Sequence, residues 1–324
     1  MRCAMKRTGI LILMMLAVFA ASCRRRPLLE ADYTVNVVMN LDRDIVNYTV
    51  SKDPSVMRVA FFDHSDGHLV TQAYLPLSGG QVNVLPGRIY DVLAYNFDTQ
   101  VTLVKEPDNF NRIFAATNSI SEEFKSKLKS RGTKSSKGDE DEHIVYDPDH
   151  LFVGRLNKVE LPARSVDSPE VTLTIDCETV VQSWILEVDK VNGIENVASI
   201  SAVITGVSEF NRISTGERSD DVATVYFDVK GINADGTLKT GFNTFGQNPN
   251  PAERQILSLV ITDTAGKGYI FNVDVSAQFP GNKEQIIRVK TGDIVIPKPD
   301  KPGSGGGLAP DVDEWKDIVS EIII

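Results

Sequence analysis

From Tyr33 onward the chain is a succession of short segments whose apolar residues recur at every second position, punctuated by Gly, Asp and Pro. Period two is the mark of a strand with one buried face. YTVNVVMNL is the clearest case, with Tyr33, Val35, Val37 and Met39 on one side. MRVAFFD reads as a second strand, and Asp66-Gly67 after it suits the positive φ angles of a tight hairpin. Leu69 to Leu75 returns, Ser78-Gly79-Gly80 turns again and QVNVL follows. Pro86-Gly87 then leads into a strand with Ile89, Val92 and Ala94 among its apolar positions. Strands this closely spaced imply a sandwich rather than βαβ units, so the expected fold class is all-β.

DHLFVG is read as closing a first domain, and β-type segments resume from about Val159: VELPA, VTLTIDC, VVQSWILEV, ASISAVITGV, VATVYFDVK, QILSLVITD and YIFNVDVSA. Asn233-Ala234-Asp235-Gly236 and Asp263-Thr264-Ala265-Gly266 carry the composition of hairpin turns. Trp184 lies in mid-strand and is expected to anchor a core, the sharper alternative being an exposed ring that stacks on a ligand. Residues 119–142 break the β pattern. Phe124 and Leu128 are spaced for a brief helix, but so polar a stretch, ending in Asp139 to Glu142, reads mainly as a solvated loop. Arg131, Lys134 and Lys137 within it would form a basic docking patch on the competing reading.

The first residues set the place of work. MKRTGILILMMLAVFAASC has a basic start, an uncharged apolar run from Ile10 to Phe19, then Ala20, Ala21 and Ser22 before Cys23. That run is shorter than the ~20 apolar residues of a membrane-spanning helix. The pattern predicts a lipoprotein signal over residues 1–22, cleaved before Cys23, with a thioether-linked acyl lipid on Cys23 and a tether over 23–31. Arg24, Arg25 and Arg26 make that tether basic, suited to anionic headgroups. The 324-residue chain carries −10; loss of Arg2, Lys6 and Arg7 with the signal takes it to −13. Such a body does not suit nucleic acid, whose phosphates demand basic charge. Of the cysteines Cys3, Cys23 and Cys177, only Cys177 would be left free, so burial alone must hold the fold. In the alternating run VTLTIDCET, Cys177 is expected to be a buried small hydrophobe.

The expected organisation is a sandwich over residues 32–155, a second over 156–298, and a Gly/Pro linker with a terminal strand over 299–324. Pro297 leads into the linker, and Pro299, Pro302 and Gly303-Ser304-Gly305-Gly306-Gly307 continue it. DVDEWKDIVSEIII follows, with Trp315, Ile318, Ile322 and Ile324 as its apolar positions. An unattached strand of this kind must find a sheet edge, in its own chain or in another subunit.

Little points to catalysis. His64 and His68 flank a turn, and His143 and His150 flank Asp147 and Asp149, without the convergent ligands a zinc site needs. Glu217, Asp220 and Asp221 cluster in ERSDD but lack the spacing of a calcium loop. No nucleophile elbow or phosphate-cradling loop is present in the sequence. No catalytic residue, metal ligand or cofactor is assigned, and the chain is expected not to be an enzyme.

Several stretches carry a resemblance: the Cys23 signal, MRVAFFD followed by GGQVNVLPGRIYDVLAYNFD, DHLFVG, GFNTFG followed by QILSLVITD and GKGYIFNVDVS, and the closing DVDEWKDIVSEIII. In this order they resemble the fimbrillin-like lipoproteins of Bacteroidota, relatives of type V pilus subunits and anchors. The resemblance implies two tandem transthyretin-like β-sandwiches, lipid anchoring to the outer membrane with surface exposure, and other fimbrial subunits or surface ligands as partners. It also implies assembly by strand exchange, in which a first strand is cut away after an arginine and another subunit's strand fills the groove. The matching first strand is Tyr33 to Leu41, with Tyr33, Val35, Val37 and Met39 facing in; Arg43, Arg155 and Arg164 are arginines where such a cut could be sought. The role implied is a fimbrial anchor, minor or tip subunit, or adhesin. The alternative is a glycan- or nutrient-binding surface lipoprotein, with Trp184 or loop aromatics stacking on sugar.

Overall fold

The computed structural model describes residues 33–47, 53–130, 143–162, 170–290, 294–299 and 319–322. The first strands are β1 (Tyr33–Leu41), β2 (Met57–Asp63), β3 (Leu69–Leu75), β4 (Gly80–Val84) and β5 (Ile89–Asn96). Then come β6 (Thr102–Lys105), β7 (Phe114–Thr117), the helix α1 (Glu122–Ser130), β8 (His143–Tyr146), β9 (Phe152–Glu160) and β10 (Val171–Thr179). The second half contributes β11 (Gln182–Val188), β12 (Val197–Ser208), β13 (Phe210–Arg212), β14 (Glu217–Arg218) and β15 (Val222–Asp228). The last strands are β16 (Leu238–Thr244), β17 (Ile256–Asp263), β18 (Gly268–Asp274), β19 (Ile286–Val289) and β20 (Val319–Ile322).

Seven strands form the first sheet, in the order β3-β2-β5-β9-β10-β1-β4. Its middle strands lack the clean alternation of β1 because both of their faces are covered. Met57, Val59 and Phe61 of β2 enter one core with Tyr90, Val92 and Ala94 of β5, while Ala60, Phe62, Leu93 and Tyr95 enter another on the opposite face. A strand buried on both sides reads as a continuous apolar run. The Asp66-Gly67 turn is as expected: Gly67 has φ 75° and Asp63 N donates to His68 O at 2.9 Å.

The second sandwich stacks the sheet β16-β11-β19 on the six-stranded sheet β20-β18-β17-β12-β15-β8. Trp184 lies in the core between them, 4% exposed, with its ring 4.5 Å from that of Phe279. The core reading of Trp184 therefore holds, and its ring is not available for stacking on a ligand. A bulge interrupts β12 between Ile204 and Val207, where Gly206 has φ 71° and a Cβ would meet Arg254 O at 2.4 Å. Only glycine fits that bend without strain.

The structure corrects the sequence reading in three places. VTLTIDC, whose position assigns it to residues 156–298, forms β10 of the first sheet, paired with β1 and β9. In the other direction, β8 joins the second sandwich by parallel pairing with β15, and β7 pairs with β13 in the small sheet β14-β13-β7-β6. The two sandwiches share a core as a result: Phe62, Tyr95, Ile113 and Val153 pack with Val181, Ile213 and Phe245. Second, Glu122–Ser130 is helical rather than loop. Leu128 is 1% exposed and packs with Ile120, Ile144, Val203, Val260 and Ile270, so the outer face of β12, β17 and β18 is covered. Two apolar residues four apart sufficed, because the sheet supplied the surface they bury against; residues 131–142, with Arg131, Lys134 and Lys137, lie outside the described residues. Third, Asn233–Gly236 closes a short hairpin as expected, with Asn233 N donating to Thr237 O at 3.0 Å and Lys239 N to Gly231 O at 2.8 Å, but the longer strands it leads between, β15 and β16, lie in opposite sheets. Asp263–Gly266 is a true hairpin between β17 and β18.

Candidate functional site: the seats of the first and last strands

Strand β1 is an interior strand. On one side it runs parallel to β10, from Val35 opposite Val171 to Leu41 opposite Cys177; on the other it runs antiparallel to β4, from Tyr33 opposite Val84 to Val37 opposite Gly80. Parallel neighbours cannot be joined by a tight turn, so side chains and ladder bonds must set this register. The alternation does that work. Tyr33, Val35, Val37 and Met39 are 0–6% exposed and join Phe61, Tyr90, Phe152 and Ile175 in the first core. Burial of each such side chain contributes about 1.5–3 kcal/mol. On the outer face Thr34 Oγ1 donates to Asn83 Oδ1 at 3.0 Å and Asn40 Nδ2 to Asp176 Oδ1 at 2.8 Å, polar ties that also fix the register.

The neighbour that carries β1 is itself closely fitted. Gly154 of β9 faces β10 so tightly that a Cβ there would lie 2.4 Å from Ile175 Cγ2 and 2.7 Å from Cys177 Sγ. Cys177 is 1% exposed, as expected of a small hydrophobe, and burial pushes its thiol up to about 12. A thiol so protonated is a poor nucleophile. The far end of β10 is tied by His150, whose Nδ1 lies 2.9 Å from Thr179 Oγ1 and whose Nε2 lies 2.8 Å from Ser183 Oγ of β11. Burial drives this imidazole down to about 4, while nearby Asp147 is raised by burial to about 6.

Strand β20 is held differently. It adds to the outer edge of β18 in parallel, Ile270 opposite Val319 through Val273 opposite Ile322, and has one neighbour. Of its expected apolar positions, Ile322 falls on this paired backbone; Trp315, Ile318 and Ile324 lie outside the described residues, as do Cys23, the signal and the tether. The arginines separate clearly. Arg43 is at the surface and ion-paired with Asp53 at 2.7 Å. Arg155 is wedged between the sandwiches, its Nε donating to Ile213 O at 2.6 Å, and Arg164 lies outside the described residues.

The histidines do not converge. His64 Nδ1 contacts Asp91 at 2.9 Å, His143 Nδ1 contacts Glu209 at 2.7 Å, and no group of three metal-ligating side chains forms among the described residues. No described helix is long and apolar enough to cross a membrane. Among the described residues Tyr74 and Phe97 reach solvent together, and they carry no signal in the sequence because only the fold sets β3 and β5 on either side of β2.

A family model for a domain of unknown function, DUF5119, matches residues 22–228. The chain belongs to the DUF5119 family. It is 27% identical over 343 residues to a Bacteroides ovatus protein assigned as a fimbrium anchoring subunit, Fim4B, with 95% of this chain and 96% of the relative covered. The resemblance to fimbrillin-like proteins of Bacteroidota is thus met by a match along nearly the whole DUF5119 chain. A solved structure from Bacteroides ovatus, described as an adhesin, superposes with a TM-score of 0.62 at 24% identity, covering 86% of this chain and 98% of that one. That likeness is one of fold, and it agrees with the all-β sandwich architecture.

Proposed function

We propose that this DUF5119 protein is a lipid-anchored component of the cell envelope that serves as a fimbrial anchor, minor or tip subunit, or adhesin, and that assembles by strand addition. The observation that carries the reading is the near full-length likeness to a relative assigned as a fimbrium anchoring subunit. The geometry supports its mechanism. One edge of the second sandwich is closed by a four-residue strand with a single neighbour, and an equivalent strand from another subunit would satisfy the same β18 ladder. Lipid attachment at Cys23 and an outer-membrane, surface-facing location are part of the proposal, resting on the signal pattern. The reading is of a structural rather than catalytic role, which the same likeness supports. The reading draws the division between the sandwiches after β10, which is supported by the pairing of β9 and β10 within the first sheet.

Mass determination of the mature, cell-bound protein tests the anchor: the reading requires an acylated N-terminal Cys23. Cys23→Ala should release the protein from membranes, and unchanged membrane fractionation would refute lipid anchoring. Deletion of residues 311–324 should abolish association with partner subunits; intact assembly without them would count against strand addition by β20.

A further inference from the structure

The geometry points to a saccharide-binding site on the first sandwich, in the recess between β3 and β6, with Tyr74 and Phe97 as its stacking rings. Tyr74, near the end of β3, and Phe97, just past β5, are 51% and 55% exposed and meet edge to face with centroids 5.1 Å apart. Two large rings side by side in solvent are unusual beside cores with ample apolar cover. They overlook a recess of about 500 Å³, within the ~300–1,000 Å³ typical of small-ligand sites.

The recess is built around a buried charge. Arg58 of β2 is 2% exposed in a strand whose other residues are mostly apolar. Its guanidinium donates to the Tyr95 hydroxyl, to Gln72 Oε1 at 2.6 Å and to Pro107 O at 3.2 Å, and lies 3.6 Å from Asp108. Burying a guanidinium is costly, and an apolar side chain would hold β2 in the sheet as well. What the charge achieves is orientation: it holds Gln72 and Tyr95 around one hollow, with the exposed Asp108 carboxylate beside it. The Gln72 amide nitrogen and the Lys105 ammonium on the opposite wall make no hydrogen bond or ion pair among the described residues.

Aromatic faces at a rim, with an oriented amide and carboxylate and ammonium groups beside it, match the chemistry of a hexopyranose. Its C–H face packs on a ring while its hydroxyls take up directional hydrogen bonds. A peptide strand adding to β6 would use backbone bonds and leave Gln72 and Asp108 without a role. The site residues lie on neither β1 nor β20, nor on the strands that pair with them, so this inference stands or falls independently of strand addition.

Saturation-transfer NMR on the full chain with lactose, cellobiose, maltose and sialyllactose tests it. At least one is expected to show transfer to its ring C–H protons. Tyr74→Ala/Phe97→Ala should weaken that binding about tenfold or more. Because both rings are exposed, the thermal midpoint should stay unchanged in this variant. Gln72→Ala should also weaken it, whereas Tyr146→Ala, an exposed ring elsewhere, should not. Binding by none of the four saccharides, or equal transfer in the double variant, overturns the site. So does displacement of the saccharide only by a peptide.

Discussion

The first and last strands of this chain sit in opposite kinds of seat. Strand β1 lies inside its sheet with a neighbour on each side and four buried apolar side chains. Strand β20 has four paired residues and one neighbour at an edge. To withdraw β1 two ladders must break and a core must open to water, whereas withdrawal of β20 breaks one short ladder. For the proposed strand addition, the end of the chain has the shorter described ladder to give up, and exchange at the beginning would need an irreversible step such as cleavage. Of the two described candidate arginines, Arg43 is exposed just after β1 and Arg155 is largely buried.

The sharpest way to break the comparison is to remove each strand. Loss of residues 33–41 should unfold the first sandwich. Four side chains at about 1.5–3 kcal/mol each rival the ~5–15 kcal/mol that stabilises a typical domain. Urea unfolding monitored by circular dichroism would register it. Gly154→Val, which drives methyl groups into Ile175 and Cys177 beneath β1, should cost about 3 kcal/mol or more by the same measurement.

Acid should weaken the two seats unequally. His150 titrates at about 4 when folded and near 6.5 when unfolded, so the unfolded chain takes the proton first. Its contribution is whole above about pH 6.5 and is lost as pH falls toward 4, up to about 3 kcal/mol. Asp147 has the opposite sign. With its folded value raised to about 6, its contribution is whole below its unfolded value of about 3.9 and is lost as pH rises through 6. Asp147→Asn should therefore expose the full acid loss from His150 between pH 6.5 and 4.5, and His150→Gln should gain stability over that range relative to wild type. Because His150 grips Thr179 at the end of β10, amide protection relative to the intrinsic exchange rate should fall in β10 and β1 on acidification and stay constant in β18. The smallest effect should come from deleting residues 311–324. Global stability should change by less than about 2 kcal/mol, with faster exchange confined to Ile270–Val273.

Much of this was legible because burial on one face writes itself into period two. Tyr33, Val35, Val37 and Met39 all point inward, Trp184 anchors a core, and Cys177 is inert and buried. What the pattern could not carry was partnership between distant segments. Nothing local in VTLTIDC marks it as the neighbour of β1, because parallel pairing leaves no turn to read. Strands β6, β7 and β8 are four residues each, too short to alternate visibly, and they weld the two sandwiches together. Helix α1 hid behind its charge, with Leu128 its fully buried contact among the described side chains. Tyr74 and Phe97 are 23 positions apart and became a pair only through the β3-β2-β5 order.

The most direct test of the edge seat uses the chain lacking residues 311–324 and a synthetic peptide of that sequence added in trans. Hydrogen exchange at Ile270–Val273 is the readout. The account expects the peptide to restore protection there, saturably and without changing exchange in β1. Unaltered exchange along β18 at peptide saturation, or protection appearing on a different strand, would contradict it.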